Sequence, residues 1–269
     1  GVSVTYLVVG TDGRVDPKNL KESLRPNTRL VSLMYVNNEL GVIEPIAECG
    51  RIILAYRKSS SDPLYFHVAA SQAALFCTIE VEKLHTDLLV VDGQKVYGPK
   101  GIGALYVRRG TPLEPIIRGR RQEGGIRGGT QNVSGAVGMG VALTLANKER
   151  DAESVRLTKL RDYFVAQLRE KVPQAEINGS LSERLPNNVN ISIPGFDATF
   201  LALELDARGI AVATRSACIR DQGGSYVVSA LGKDAARSSA SLRCSFGLGT
   251  TQSDLDRAIR VLINITRKG

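Results

Sequence analysis

Four cysteines, Cys49, Cys77, Cys218 and Cys244, stand far apart in the 269 residues, and no two of them form a CxxC pair. That scarcity signals neither a structural zinc site nor a disulfide framework, so each thiol is read singly. Aromatic residues are also few, 5% of the chain with no tryptophan, and they are not interleaved with basic residues as a single-stranded nucleic-acid platform requires. No apolar run reaches the roughly 18 residues of a membrane span, and no basic-then-apolar leader precedes the first strand pattern, so the expected location is cytoplasmic. An initiator methionine is missing as well: the chain opens on "GVSVTYLVV", already inside a strand pattern, as expected of a fragment.

What is present is an ordinary globular composition. With 43% hydrophobic and 23% charged residues the chain is long enough to bury a sizeable core in one large or two medium domains. The formal charge of +8 is compatible with nucleic acid, a phosphorylated cofactor or acidic protein surfaces as partners.

Hydrophobic patterning gives alternating strands and helices. Val2 to Val9 alternates as a strand. Asp16 before Pro17 starts a helix that reaches about Leu24. A strand from Leu30 to Val36, a helix from Ile46 to Lys58, and strands at Leu64 to Val68, Asp87 to Val91 and Ile102 to Val107 follow. Such alternation predicts an α/β layer with a mixed or parallel sheet. A long irregular stretch then ends in "GRRQEGGIRGGTQN", and Val133 to about Val172 is helical and increasingly charged, as a connector between domains would be. The domain boundary is expected near residue 150, with residues 1–150 as the large domain and 151–269 as a smaller α/β domain. The latter has strands at Asn188 to Ile193, Ile210 to Thr214 and Ser241 to Phe246, and helices at Ala198 to Arg208 and Tyr226 to Gly232. Its closing helix has Thr251 and Asp254 as a capping box and ends near Arg267.

Of the two lysines in "VDGQKVYGPKG", residues 91–101, Lys95 sits in a glycine-flanked turn straight after a buried strand. There its amine faces the carboxyl end of the sheet, where open α/β sheets bind ligands. A loop lysine taken alone is usually only a solvated one. Its company decides otherwise.

The block "GQKVYGPKGIGALYVRR", with "VNNELG" at 36–41, "HVAASQ" at 67–72, "RGGT" at 127–130 and "RSAC" at 215–218, resembles the NifS- and IscS-like cysteine desulfurases of the class V aminotransferase superfamily. The motifs occur in order from near residue 4 to residue 268. The resemblance implies the aspartate aminotransferase-like fold of enzymes dependent on pyridoxal phosphate (PLP), incomplete here in its large-domain sheet. It implies that Lys95 forms the Schiff base with PLP and moves the substrate's α-proton, which requires a desolvated amine. It further implies that Asn38 and Gln72 bind the cofactor's phenolic oxygen, that Thr130 reaches the phosphate of a neighbouring subunit in a homodimer, and that Arg243 grips the carboxylate of L-cysteine beside Asn38. Cys218 matches the nucleophile that accepts sulfur for transfer to an acceptor or iron-sulfur scaffold protein. Cys49, Cys77 and Cys244 read as core.

Departures accompany these matches. The family aspartate that partners the ring nitrogen is Ala69 here. Asp92 and Gln94 stand at cofactor-contacting positions where a serine that touches the phosphate and a histidine beside the lysine are common, and a carboxylate there is unfavourable unless it turns away or meets an arginine. Arg120, Arg121 and Arg215 replace small residues. The family's Gly-Ala-Thr phosphate cradle and ring-stacking histidine precede the stretch matched by residue 1. Without the first strands of the sheet, an exposed apolar edge is expected. His67 is open between a site residue and a packed core histidine. Two other readings follow: a catalytically impaired relative that dimerises and binds partners, and, less favoured, nucleic-acid binding through Arg118, Arg120, Arg121 and Arg127.

Overall fold

The computed structural model describes residues 1–214, 224–232 and 235–267. In chain order its helices and strands are α1 (Pro17–Ser23), β1 (Leu30–Met34), α2 (Ile46–Arg57), β2 (Tyr65–Ala69), α3 (Val81–Leu84), β3 (Leu88–Asp92), β4 (Gly103–Val107), α4 (Val133–Lys171), β5 (Glu176–Ile177), β6 (Asn188–Ser192), α5 (Ala198–Asp206), α6 (Tyr226–Ser229), α7 (Ala235–Ser239), β7 (Ser241–Ser245) and α8 (Gln252–Thr266). They fall into two compact units. One comprises Gly1–Ser23, Val36–Pro45 and Asp151–Gly269, and the other Leu24–Tyr35 and Ile46–Arg150. This grouping differs from a single division at residue 150: Val9, Leu40 and Val42 pack with Val227, Val228 and Leu231, so the early segments bury their apolar residues against the late ones.

In the unit containing Ile46–Arg150, β1, β2 and β3 are parallel and β4 closes the sheet antiparallel to β3, giving a mixed sheet. Helix α2 buries Ile46, Cys49, Gly50 and Ile53, the apolar positions of a stripe at helical spacing. Phe66 and Val68 on β2 are fully buried. The edge strands leave Leu30, Met34 and Leu105 exposed.

The other unit has an antiparallel sheet in the order β5-β6-β7, with β6 buried along its whole length. Phe164 of α4 meets Phe246 edge to face at 5.6 Å. The predicted capping box is present: Thr251 Oγ1 accepts the Asp254 N–H while Asp254 accepts the Thr251 N–H.

Two predicted strands are corrected. Val2 to Val9 is irregular and largely exposed, Leu7 and Val9 partly so, with only a bridge from Val9 to Val15, because alternation forms a strand only where another strand takes up its N–H and C=O groups, and the described residues offer none. Ile210 to Thr214 is reduced to a single bridge between Ala213 and Arg243.

One buried carboxyl gives a pH-dependent stability. Glu44 is almost wholly buried and its Oε2 accepts the Val15 N–H at 2.8 Å. Burial pushes its pKa up from 4.5 to about 7, against the downward pull of the Val15 hydrogen bond and Arg14. The fold therefore prefers the protonated form, and the stabilisation is complete below the unfolded value and lost as pH rises through about 7. Glu44→Gln, which keeps an acceptor without the charge, is expected to raise the urea midpoint at about pH 8 and leave it near the parent's at about pH 5. Equal midpoints at the higher pH would show that the carboxyl is not destabilised there.

Candidate active site

The parallel pairing of β2 with β3 sets Ala69 opposite Val90, so the turns that follow the two strands leave the same edge of the sheet. The first carries Gln72 and the second Lys95. The second turn is a short 3-10 helix, Gly93–Val96, started by Asp92, whose Oδ1 accepts the Gln94 N–H at 3.1 Å, and ended by Tyr97 at φ 60°. Asp92 Oδ2 also accepts the Gln94 side-chain amide at 3.1 Å. Both carboxylate oxygens of Asp92 are therefore directed to Gln94.

The start of α4 closes this turn. A Cβ at Gly138 would lie 2.6 Å from Cγ of Pro99, so only glycine lets Pro99 approach the helix this closely. The backbone N–H of Gly98 donates to the Gly93 carbonyl at 2.8 Å, which folds the chain back under Lys95. Lys95 itself is exposed, so this unit alone does not supply the desolvated setting expected from the sequence. Lys100, beyond Pro99, is exposed as well.

His67 lies two residues before Ala69 on β2. It is half-buried, and its Nδ1 is 2.8 Å from Ser32 Oγ on the neighbouring strand. Burial lowers its pKa below the ordinary 6.5. Nothing in its sequence context signalled the Ser32 contact, because strand register decides it. Thr130 is exposed just before α4.

Asn38 and Arg243 belong to the other unit, where Arg243 Nη1 donates to the Asn38 carbonyl at 3.0 Å. The capping amide of "VNNELG" is Asn37, not Asn38: Asn37 Oδ1 accepts the N–H groups of Glu39 and Leu40, both at 2.9 Å. Cys218 and Arg215 lie outside the described residues. Of the remaining thiols, Cys49 and Cys77 are buried as expected of core, whereas Cys244 is only partly so by exposure. Burial nonetheless pushes the Cys77 thiol up to about 11 and that of Cys244 up to about 12.

A cleft of about 470 Å³ opens at the other edge of the same sheet, lined among others by Arg57, Tyr65, Asp87 and Arg108. Two of its guanidinium groups are already engaged: Arg57 pairs with Asp87, and Arg108 holds both oxygens of Glu82 at 3.0 Å. The lysine turn is not part of it.

The donor set at the Lys95 edge fits PLP at two points. A primary amine is available for the aldehyde, and the Gln72 amide for the phenolic oxygen. It does not fit at the third, since PLP sites partner the ring nitrogen with an Asp or Arg and position 69 is alanine.

The sequence profile of aminotransferase class-V matches residues 1–258. A protein of Dictyoglomus turgidum named cysteine desulfurase IscS is 42% identical over the whole chain, and one of the same name from Methanosarcina thermophila is 40% identical. The chain spans 67% and 65% of these relatives, about two thirds of their length. A solved NIFS-like protein superposes over the whole chain, and 69% of its own, with a TM-score of 0.90 at 32% identity. A NifS-like protein from Rickettsia africae does so over 97% of the chain and 69% of its own, with a TM-score of 0.87 at 28% identity. On sequence and fold together, the chain belongs to the class-V aminotransferases and, within them, to the cysteine desulfurases.

Proposed function

We propose that the protein to which this chain belongs converts L-cysteine to L-alanine, with PLP as cofactor, and keeps the released sulfur as a persulfide on Cys218 for delivery to an acceptor protein of iron-sulfur or thio-cofactor assembly. The observation that carries this reading is the turn after β3, which presents Lys95 at the edge shared with Gln72 inside a chain belonging to the desulfurases. When bound, PLP supplies an aldehyde that captures amines and a conjugated ring that withdraws electrons. Lys95 Nζ would hold that aldehyde, and its amine would take up and return the proton of the substrate's α-carbon. Gln72 and Asn38 are the residues that would hold its phenolic oxygen. Asp92 and Gln94 fix the turn on which the amine rides. Arg243 takes the substrate carboxylate with a planar pair of donors.

The sulfur step belongs to Cys218: its thiolate attacks the substrate sulfur, an S–S bond forms as the substrate's C–S bond breaks, and the bonding pair leaves with the carbon that becomes the alanine methyl group. Cys77 and Cys244 support this choice by their unreactivity, since a thiol with a pKa near 11 or 12 is almost wholly protonated at neutral pH, and Cys49 is buried. A second copy of the chain, supplied with Thr130 from its neighbour, completes the proposal. The setting is the cytoplasm, where reducing conditions keep such thiols available.

Incubating the protein with PLP and L-cysteine, and reducing a parallel sample with borohydride, tests the reading. A visible absorbance, a pyridoxyl label on Lys95 and alanine matched by persulfide are expected. Colourless protein at saturating PLP would overturn it.

A further inference from the structure

The turn after Val36 sets a backbone carbonyl against the guanidinium of Arg243. Arg243 is half-buried on β7, in register with Asn190 of β6, and its Nη1 donates to the Asn38 carbonyl at 3.0 Å. The peptide that joins Asn38 to Glu39 is trans, so its C=O and N–H point in opposite directions. That N–H donates to Asn37 Oδ1 at 2.9 Å, and the same oxygen takes the Leu40 N–H at 2.9 Å. The group that holds the N–H therefore aims the carbonyl. The following peptide is held as well, since the Glu39 carbonyl accepts from the side-chain amides of Asn188 and Asn190. Gly41, at φ 74°, closes the turn by donating its N–H to the Asn37 carbonyl at 2.8 Å. A guanidinium is a rigid planar fork, so anchoring one of its N–H groups fixes the plane in which the others are presented.

We propose that Asn37 is a positioning residue for Arg243. By taking the Glu39 N–H, its side-chain oxygen turns the Asn38 carbonyl towards the guanidinium and so sets the direction in which Arg243 meets the carboxylate of L-cysteine. The inference rests on the desulfurase reading, in which Arg243 binds that carboxylate, and deepens it by tracing the arginine's orientation to the residue that caps the turn.

Two substitutions in the whole protein test it: Asn37→Ala removes the acceptor, and Asn37→Ser keeps a neutral one. The rate at which phenylglyoxal modifies Arg243, followed by peptide mass mapping, reports on the guanidinium without recourse to turnover. It is expected to rise about fivefold in Asn37→Ala and to stay within about twofold of the parent in Asn37→Ser. The KM for L-cysteine is expected to rise about tenfold in Asn37→Ala with kcat little changed, and to return towards the parent value in Asn37→Ser. A cap that served stability alone would lower the urea midpoint and leave both readings of Arg243 unmoved, and that result would overturn the proposal. So would Asn37→Ser as impaired as Asn37→Ala. Should Asn37→Ala not fold, Asn37→Gln carries the same test, because its extra methylene moves the oxygen off the Glu39 N–H; unaltered Arg243 reactivity there would equally overturn the assignment. Parent protein that releases no alanine from L-cysteine defeats the desulfurase reading and, with it, the carboxylate's part in this one. Unaltered Arg243 reactivity in protein that does release alanine defeats this inference alone.

Discussion

Replacing Lys95 by alanine is expected to abolish the borohydride-fixed label and to lower alanine release from L-cysteine by about 10³-fold or more. The size follows from two roles lost at once, the anchoring of the aldehyde and the movement of a proton. The fold should survive the change, since Lys95 is exposed at the end of a turn built from Asp92, Gln94 and the Gly98-to-Gly93 hydrogen bond. Exposed substitutions of this kind usually alter stability by less than about 0.5 kcal/mol. Lys100→Ala is the matched control. It lies five residues further on, past Pro99, and is expected to keep parental activity and the label. Activity within tenfold of the parent in Lys95→Ala would reassign the amine.

Cys218→Ser separates the two halves of the reaction. A serine hydroxyl stays protonated at neutral pH and forms no persulfide, so alanine release should fall by about 10² to 10³-fold while the label on Lys95 remains. The discriminating measurement is where residual sulfur is found. Cys77 and Cys244 are held protonated by burial, so neither is positioned chemically to substitute. Persulfide mapped to either of them in the variant would show that the acceptor had been misassigned.

The lysine turn was legible in the sequence because glycines on both sides of a short motif, directly after an aliphatic run, constrain the backbone locally. The capping box of α8 was legible for the same reason, Thr251 and Asp254 being a single turn apart. What escaped depended on partners distant in the chain. Val2 to Val9 has the alternation of a strand but finds no strand to pair with among the described residues. Ser32 meets His67 only because β1 and β2 run parallel in one register. The burial of every residue in the "NVNIS" run of β6 likewise rests on distant partners: Asn188 and Asn190 both donate to the Glu39 carbonyl and Ser192 donates to the Arg237 carbonyl. Alternating polarity there reflects an internal hydrogen-bonding network, which single-sequence patterning cannot distinguish from a solvent-facing row.

The clasp between Asp92 and Gln94 has a bearing on any attempt to redesign this protein. One of its two hydrogen bonds comes from the Gln94 backbone N–H and survives any exchange at position 94 that keeps an N–H, whereas both depend on the acceptor at position 92. Redesign at position 94 should therefore leave the turn's start intact, while position 92 tolerates only residues that keep an acceptor for that N–H, serine among them.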